Sequence, residues 1–279
     1  MLNILRKLVK PKITYEEYKT ISYDSLKLYW WKEDHNFGDA INKFIAESIS
    51  HREVEWVPNN FNRLHYMAVG SILDKAGKYT NVWGSGFIKS SSNCADKPHE
   101  IFAVRGPLTR SRLIKQGIQC PKIFGDPALL IPKFYFPSIN KKYKIGIIPH
   151  FVDKNNPWLD TIDDSNVKII DIQQENLMNF IDEMLSCEII ISSSLHGLIL
   201  ADAYDIPSLW VKFSDKIIGN DFKFHDYYSS INRFNLHPFF IAEHTKLDNI
   251  LQNLDLSLII DIDLDLFYSV CPFKSEFTK

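Results

Sequence analysis

The sequence predicts an α/β protein of two lobes facing a cleft, and three observations carry the prediction. Short apolar runs alternate with segments of helical period along most of the chain, the mark of parallel α/β architecture. In the second half the runs are nearly continuous, as in Tyr143–Pro149, which is the texture of strands buried on both faces. Between the halves, residues 131–142 change character, with Pro132, Pro137 and Ser138 among several lysines. That break divides the chain into a first lobe, residues 1–131, and a second, residues 143–279.

Ser25–Trp31 is the first expected strand. A loop over Lys32–Gly38 follows it, then a helix over Asp39–Ser48 with Ile41, Phe44 and Ile45 on one face. Glu53–Val57, Tyr66–Ser71, Asn81–Ser85 and Ile101–Val104 are further strands. Pro107 suits a first helical position and Gly117 a helix stop, so a helix spans 107–116. Gly125-Asp126-Pro127 is a turn. In the second half Tyr143–Pro149, Val167–Ile172, Glu188–Ser192 and Ser208–Lys212 are strands, with crossover helices over Leu177–Ser186 and Leu195–Tyr204. Lys246–Leu254 and Leu258–Val270 are two closing helices.

Composition narrows the function. Hydrophobic residues make up 45% of the 279 and charged ones 24%, values of a globular protein. A net charge of −2 lacks the field that nucleic-acid binding relies on, so no such partner is expected. Cys94, Cys120, Cys187 and Cys271 are scattered without metal-like pairing and read as reduced thiols of a cytoplasmic protein. No apolar run reaches membrane-spanning length, and residues 1–12 carry no h-region suited to secretion. They do place Leu2, Leu5, Leu8 and Val9 on one helical face among Arg6, Lys7, Lys10 and Lys12. Such a segment either lies on an anionic membrane surface or packs as a leader helix. The first alternative implies peripheral contact with the inner membrane face.

Ligands of open α/β sheets bind at the carboxyl ends of strands. In the first half that rule selects Asp39, the Gly84-Ser85-Gly86 turn and Arg105; in the second it selects His150, Ser193, Ser194, His196 and Lys212. Ser192-Ser-Ser-Leu-His196 lies between an apolar strand and a helix, so the free N–H groups and dipole of that helix form an anion site with a titratable group beside it. Each residue also has a plainer reading. Asp39 and the serines could cap helices, the glycines could serve backbone geometry, and Arg105 could pair with a carboxylate. There is no Gly-x-Gly-x-x-Gly, Walker loop, metal-ligand cluster or Gly-x-Ser-x-Gly elbow, so no dinucleotide and no metal are expected. Histidines and cations outnumber paired carboxylates, which favours a small anionic substrate.

The ordered series Asn36-Phe-Gly-Asp39, Gly84-Ser-Gly86, Arg105-Gly-Pro-Leu-Thr109, Gly125-Asp-Pro-Ala-Leu-Leu130, Ser193-Ser-Leu-His-Gly197 and Pro207 resembles the polysaccharide pyruvyl transferases. Pro149-His150 and Phe222-Lys-Phe-His-Asp-Tyr-Tyr228 resemble their exopolysaccharide branch in particular. The resemblance implies two Rossmann-like lobes similar to the GT-B glycosyltransferases, with C-terminal helices packing back on the first lobe. It also implies transfer of the enolpyruvyl unit of phosphoenolpyruvate (PEP) to a sugar of a bacterial surface polysaccharide or its lipid-linked precursor, forming a pyruvate ketal. PEP is then a donor substrate, met by the second lobe, and no further cofactor is needed; the acceptor faces the first lobe. Other branches carry an arginine before the Leu-His pair, where this chain has Ser194. The donor's charge must therefore be met by Arg105, Lys212, His150 or helix N–H groups. In this scheme His196 is the general acid, Asp39 orients or deprotonates the acceptor, and Arg105 reaches across the cleft. Ser193, Ser194, His150, Lys212, Gly84 and Ser85 complete the donor site. Two rivals remain: a nucleotide-sugar glycosyltransferase of similar shape, and a non-catalytic sugar- or PEP-binding protein.

Overall fold

A computed structural model describes residues 25–33, 37–255 and 260–275; the basic segment 1–12 lies outside them. The apolar runs form β1 (Leu26–Leu28), β2 (Val54–Trp56), β3 (His65–Met67), β4 (Thr80–Trp83) and β5 (Glu100–Ala103) in the first half. In the second they form β6 (Tyr143–Ile148), β7 (Val167–Ile169), β8 (Cys187–Ser192), β9 (Ser208–Lys212) and β10 (Phe239–Phe240). These strands make two separate five-stranded sheets, ordered β2-β1-β3-β4-β5 and β10-β9-β8-β6-β7, with parallel pairing throughout. Read from the β7 edge, the second sheet repeats the first: its opening strand pairs with its second on one side and its third on the other. Each sheet therefore has a topological switch point, between β1 and β3 and between β6 and β8, where loops diverge and leave a crevice.

The helices are α1 (Phe37–Ser50), α2 (Pro107–Lys115), α3 (Pro157–Asp160), α4 (Leu177–Leu185), α5 (Leu195–Ala203), α6 (Phe222–Ser230), α7 (Leu247–Leu251) and α8 (Leu264–Ser269). Pro107 opens α2 at its first position, and Gly117, at φ +75°, turns the chain out of it. α5 buries Leu195, Leu198, Ile199, Leu200 and Ala201, and a helix apolar all round must be enclosed. Its cover is a 3₁₀ turn, Pro127–Lys133, which buries Ala128–Ile131 and packs on both α1 and α5. Residues 131–133, at the start of the expected break, thus belong to a packed turn, and irregular chain begins after Lys133.

The two sheets share a core. One buried cluster contains Leu26, Leu28 and Ile41 together with Ile148, Leu198 and Ile199, and the Phe37 and Phe180 rings lie 4.4 Å apart across the join. The end of the chain returns to the first sheet. Phe267 of α8 stacks on Trp83 at 4.7 Å, Trp83 Nε1 donates to the Phe267 carbonyl, and Phe273 meets Tyr66 edge-on.

Several strands are shorter than their apolar runs, β1 spanning Leu26–Leu28 and β3 His65–Met67. α8 starts later than the apolar pattern, since Asp263 caps it by accepting from the Leu266 N–H. The helix α6 and the two-residue β10 have no counterpart in the sequence pattern, both being too short or too mixed to show a period. Among the described residues no helix is long and apolar enough to cross a membrane.

Candidate functional site

Loops from both switch points converge on one cavity of about 430 Å³. Trp31, after β1, and Gly70, Ser71 and Ile72, after β3, form its first wall; His150, Phe151 and Val152, after β6, and Ser194, Leu195 and His196, after β8, form its second. Lys223 of α6 closes one side.

His196 sits in the first turn of α5. Its ring rests against Gly38, where any β-carbon would overlap the imidazole, so this glycine of the first half supplies the seat for a histidine of the second. Burial, then the charges of Lys223 and Arg105, hold its pKa down at about 3. Its Nε2 is buried without a hydrogen-bond partner, 3.8 Å from Asp126 Oδ2, which is equally unpartnered. Burial raises the Asp126 carboxyl to about 6, against the lowering effects of the Ala128 N–H and Arg105.

His150 is likewise held at about 3, by burial first and then by Lys223 and His196. Its Nε2 lies 3.4 Å from Lys223 Nζ. Ser193 fixes this loop by accepting from the His150 backbone N–H at 2.8 Å, so Ser193 holds the wall while remaining fully buried itself. Ser194 stands at the N-cap of α5, but its side chain accepts no capping bond, which leaves the first-turn N–H groups of the helix open.

Other expected site residues fall elsewhere. Arg105 is fully buried one side chain behind the cavity wall. Its Nε donates to Asp226 Oδ2 at 3.0 Å, one terminal nitrogen to Ser71 Oγ at 2.6 Å and the other to the Phe87 carbonyl at 2.7 Å. Its fork is thus committed to protein partners, and its influence on the cavity is through its charge. Lys212 lies outside the cavity, ion-paired with Asp215 at 2.9 Å and Asp221 at 3.3 Å. Gly84, at φ +95°, leaves room for Pro127, and Ser85 donates to the Gly70 carbonyl at 2.9 Å. Both brace the wall from behind. Asp39 belongs to the first turn of α1, beside Gly38; its side chain is outside the described structure.

Three residues of this region escaped the sequence reading. Lys223 and Asp226 lie in Phe222-Lys-Phe-His-Asp226, a segment that showed resemblance but no period. Asp226 accepts from Arg105, Thr109 N–H and Thr109 Oγ1, and Gly106 packs so closely on its backbone that no β-carbon fits. The Arg105-Gly-Pro-Leu-Thr109 motif is therefore a socket for α6, and α6 one turn earlier delivers Lys223 to the cavity. Asp126 was visible as part of a turn and of the Gly125–Leu130 motif, with no role assigned to it.

Two matched parallel sheets thus share one crevice at their switch points, lined by His150, His196 and Lys223. Comparison with known proteins supplies the class. The family model of the polysaccharide pyruvyl transferases matches residues 1–215, and the chain belongs to that family. It is 36% identical over 216 residues to the uncharacterized protein L143 of Acanthamoeba polyphaga mimivirus, covering 72% of this chain and 73% of that one. It is 29% identical over 211 residues to the succinoglycan biosynthesis protein ExoV of Rhizobium meliloti (strain 1021), covering 72% of this chain and 64% of the relative.

Proposed function

We propose that this protein transfers the enolpyruvyl unit of PEP to a sugar acceptor, closing a pyruvate ketal across two of its hydroxyls. The single observation that carries the reading is the convergence of His196, His150, Lys223 and the open first turn of α5 on a cavity walled by both sheets. PEP is compact and carries up to three negative charges. Lys223 and the α5 N–H groups meet that charge, in place of the arginine absent before Leu195. A GT-B-like division of labour follows, with donor against the second sheet and acceptor against the first.

In the reaction, a proton passes from His196 to the methylene carbon of PEP, leaving an oxocarbenium-like C2. One sugar hydroxyl adds to C2, the C2–O bond to phosphate breaks, and a second hydroxyl closes the ring. Of the two hydroxyl protons, one restores His196 and the other leaves with phosphate. A histidine that is neutral when the cleft is empty gains its proton when the anionic donor arrives, because the donor's charge offsets Lys223 and Arg105.

The test is phosphate release from PEP with a panel of glycosides and lipid-linked sugars, alongside melting curves with PEP and with nucleotide sugars. A ligand bound only by the folded state must raise the melting temperature. Stabilisation by a nucleotide sugar and not by PEP would replace this reading with glycosyl transfer. Stabilisation by PEP without phosphate release from any acceptor would make the protein a binding module.

A further inference from the structure

We propose that Asp126 is the positioning residue of the site: its Oδ2 receives the Nε2 proton of His196, leaving Nδ1 as the nitrogen that meets the donor. The proposal rests on the pyruvyl-transfer reading only for the identity of that donor.

The geometry consists of two facing orphans. His196 Nε2 and Asp126 Oδ2 are both buried without a hydrogen-bond partner, and they stand 3.8 Å apart. A buried polar atom without a partner carries a penalty, so two that face one another imply a contact made in another state of the site. Closing the gap by about 1 Å gives an ordinary charge-assisted hydrogen bond, and catalytic hydrogen bonds are often long until substrate binds. Asp126 is itself firmly placed. Its Oδ1 accepts from the Ala128 N–H at 3.0 Å, Pro127 fills the space left by Gly84, and the Phe267 ring fills the space beside Gly125. On the other side, Gly38 sets the ring plane of His196. A carboxylate held this rigidly against one ring nitrogen selects the tautomer and hence the nitrogen that is left for chemistry.

Electrostatics agree. Lys223 of α6 and Arg105 before α2 oppose protonation of His196, and His150 after β6 lies nearby as a further titratable group. Among the described residues, Asp126 is the carboxylate that stands against it, 3.8 Å from Nε2.

The decisive variant is Asp126→Asn. The Ala128 N–H requires the amide oxygen to stay at the cap, so the amide nitrogen is turned toward His196 and demands an acceptor at Nε2. Asn caps as well as Asp, so the fold is kept. Imidazole ¹⁵N shifts of the full-length protein are expected to show His196 protonated at Nε2, and at Nδ1 in Asp126→Asn. Turnover of PEP is expected to fall by about 10²–10⁴-fold with little change in KM. The alkaline limb of kcat should also move to lower pH. Asp126→Ser, whose hydroxyl can still cap but cannot reach the ring, should lose turnover in the same way and stands in if the Asn variant does not fold. His196 protonated at Nδ1 in the unmodified protein, or Asp126→Asn turning over at the unmodified rate, would overturn the proposal. If the unmodified protein turns over no PEP, the pyruvyl-transfer reading falls, and the tautomer measurement alone decides the role of Asp126.

Discussion

Removing the carboxylate of Asp226 should be among the most destabilising single changes this protein can suffer. Arg105 and Asp226 are both fully buried, one in the first half of the chain and the other on α6. In Asp226→Ala the guanidinium keeps Ser71 Oγ and the Phe87 carbonyl but loses its counter-charge, and a buried charge stripped of its partner costs about 3–5 kcal/mol. The same carboxylate accepts from the Thr109 N–H in the first turn of α2, and losing a capping acceptor costs about 1 kcal/mol more. Against a typical total of about 5–15 kcal/mol, a loss near 5 is a large share. Urea unfolding followed by tryptophan fluorescence measures it. The companion is Arg105→Met with Asp226→Leu. Replacing a buried ion pair by apolar groups is often neutral, so the double variant should recover most of what Asp226→Ala loses. If Asp226→Ala costs less than about 1 kcal/mol, or the double variant is no more stable than the single, the reasoning that this pair locks α6 into its socket is wrong.

Acid should weaken the fold through the two cleft histidines. Their pKa values are depressed from the ordinary 6.5 to about 3, so their contribution is complete above pH 6.5 and is lost as pH falls toward 3. Each adds up to about 1.4 kcal/mol per pH unit in that window, and His196→Gln should flatten the curve measured by melts across pH 3–7. Asp126 acts oppositely: its raised pKa favours the fold below about 4, and that contribution fades as pH rises through about 6. Gly38→Ala, alone and with His196→Ala, should separate stability from turnover. It drives a methyl group into the buried His196 ring, and overpacking of this kind costs about 1–3 kcal/mol, so the melting temperature and kcat for PEP should both fall. His196→Ala with Gly38→Ala should regain the stability but not the turnover. Lys223→Met should raise the KM for PEP by at least about tenfold, one lost charge-assisted contact, whereas Lys212→Met should leave it unchanged.

The α/β class was legible because the inner strands of both sheets bury apolar runs. Tyr143–Ile148 and Cys187–Ser192 can be read straight from the chain, and Pro107 and Gly117 bracket α2 where local backbone rules place them. The closing stretch was poorly legible. α6 mixes Phe224, Tyr227 and Tyr228 with Lys223 and Asp226 because it is buried on faces that serve different purposes, one apolar and one ionic. Periodicity cannot see a helix whose buried faces are part aromatic and part ionic.

The site residues divide along the same line. His196, His150 and Ser194 were readable because position at a strand end predicts access to the crevice, and the cavity does sit there. Arg105 and Lys212 were chosen by the same rule, yet their charges are matched inside the protein, by Asp226 for one and by Asp215 and Asp221 for the other. A strand-end rule locates the backbone of a cation but says nothing of which carboxylate the fold brings to it. That carboxylate comes from about 120 residues away for Arg105, and no local pattern encodes such a distance. Lys223 shows the converse. Its place in the cavity is decided by Arg105 and Gly106 gripping Asp226 three residues later, so the arginine that looked like a ligand contact instead aims the lysine. In the proposed reading Lys223 stands in for the arginine missing before Leu195 from a different helix, and the sequence around His196 alone carries no sign of that lysine.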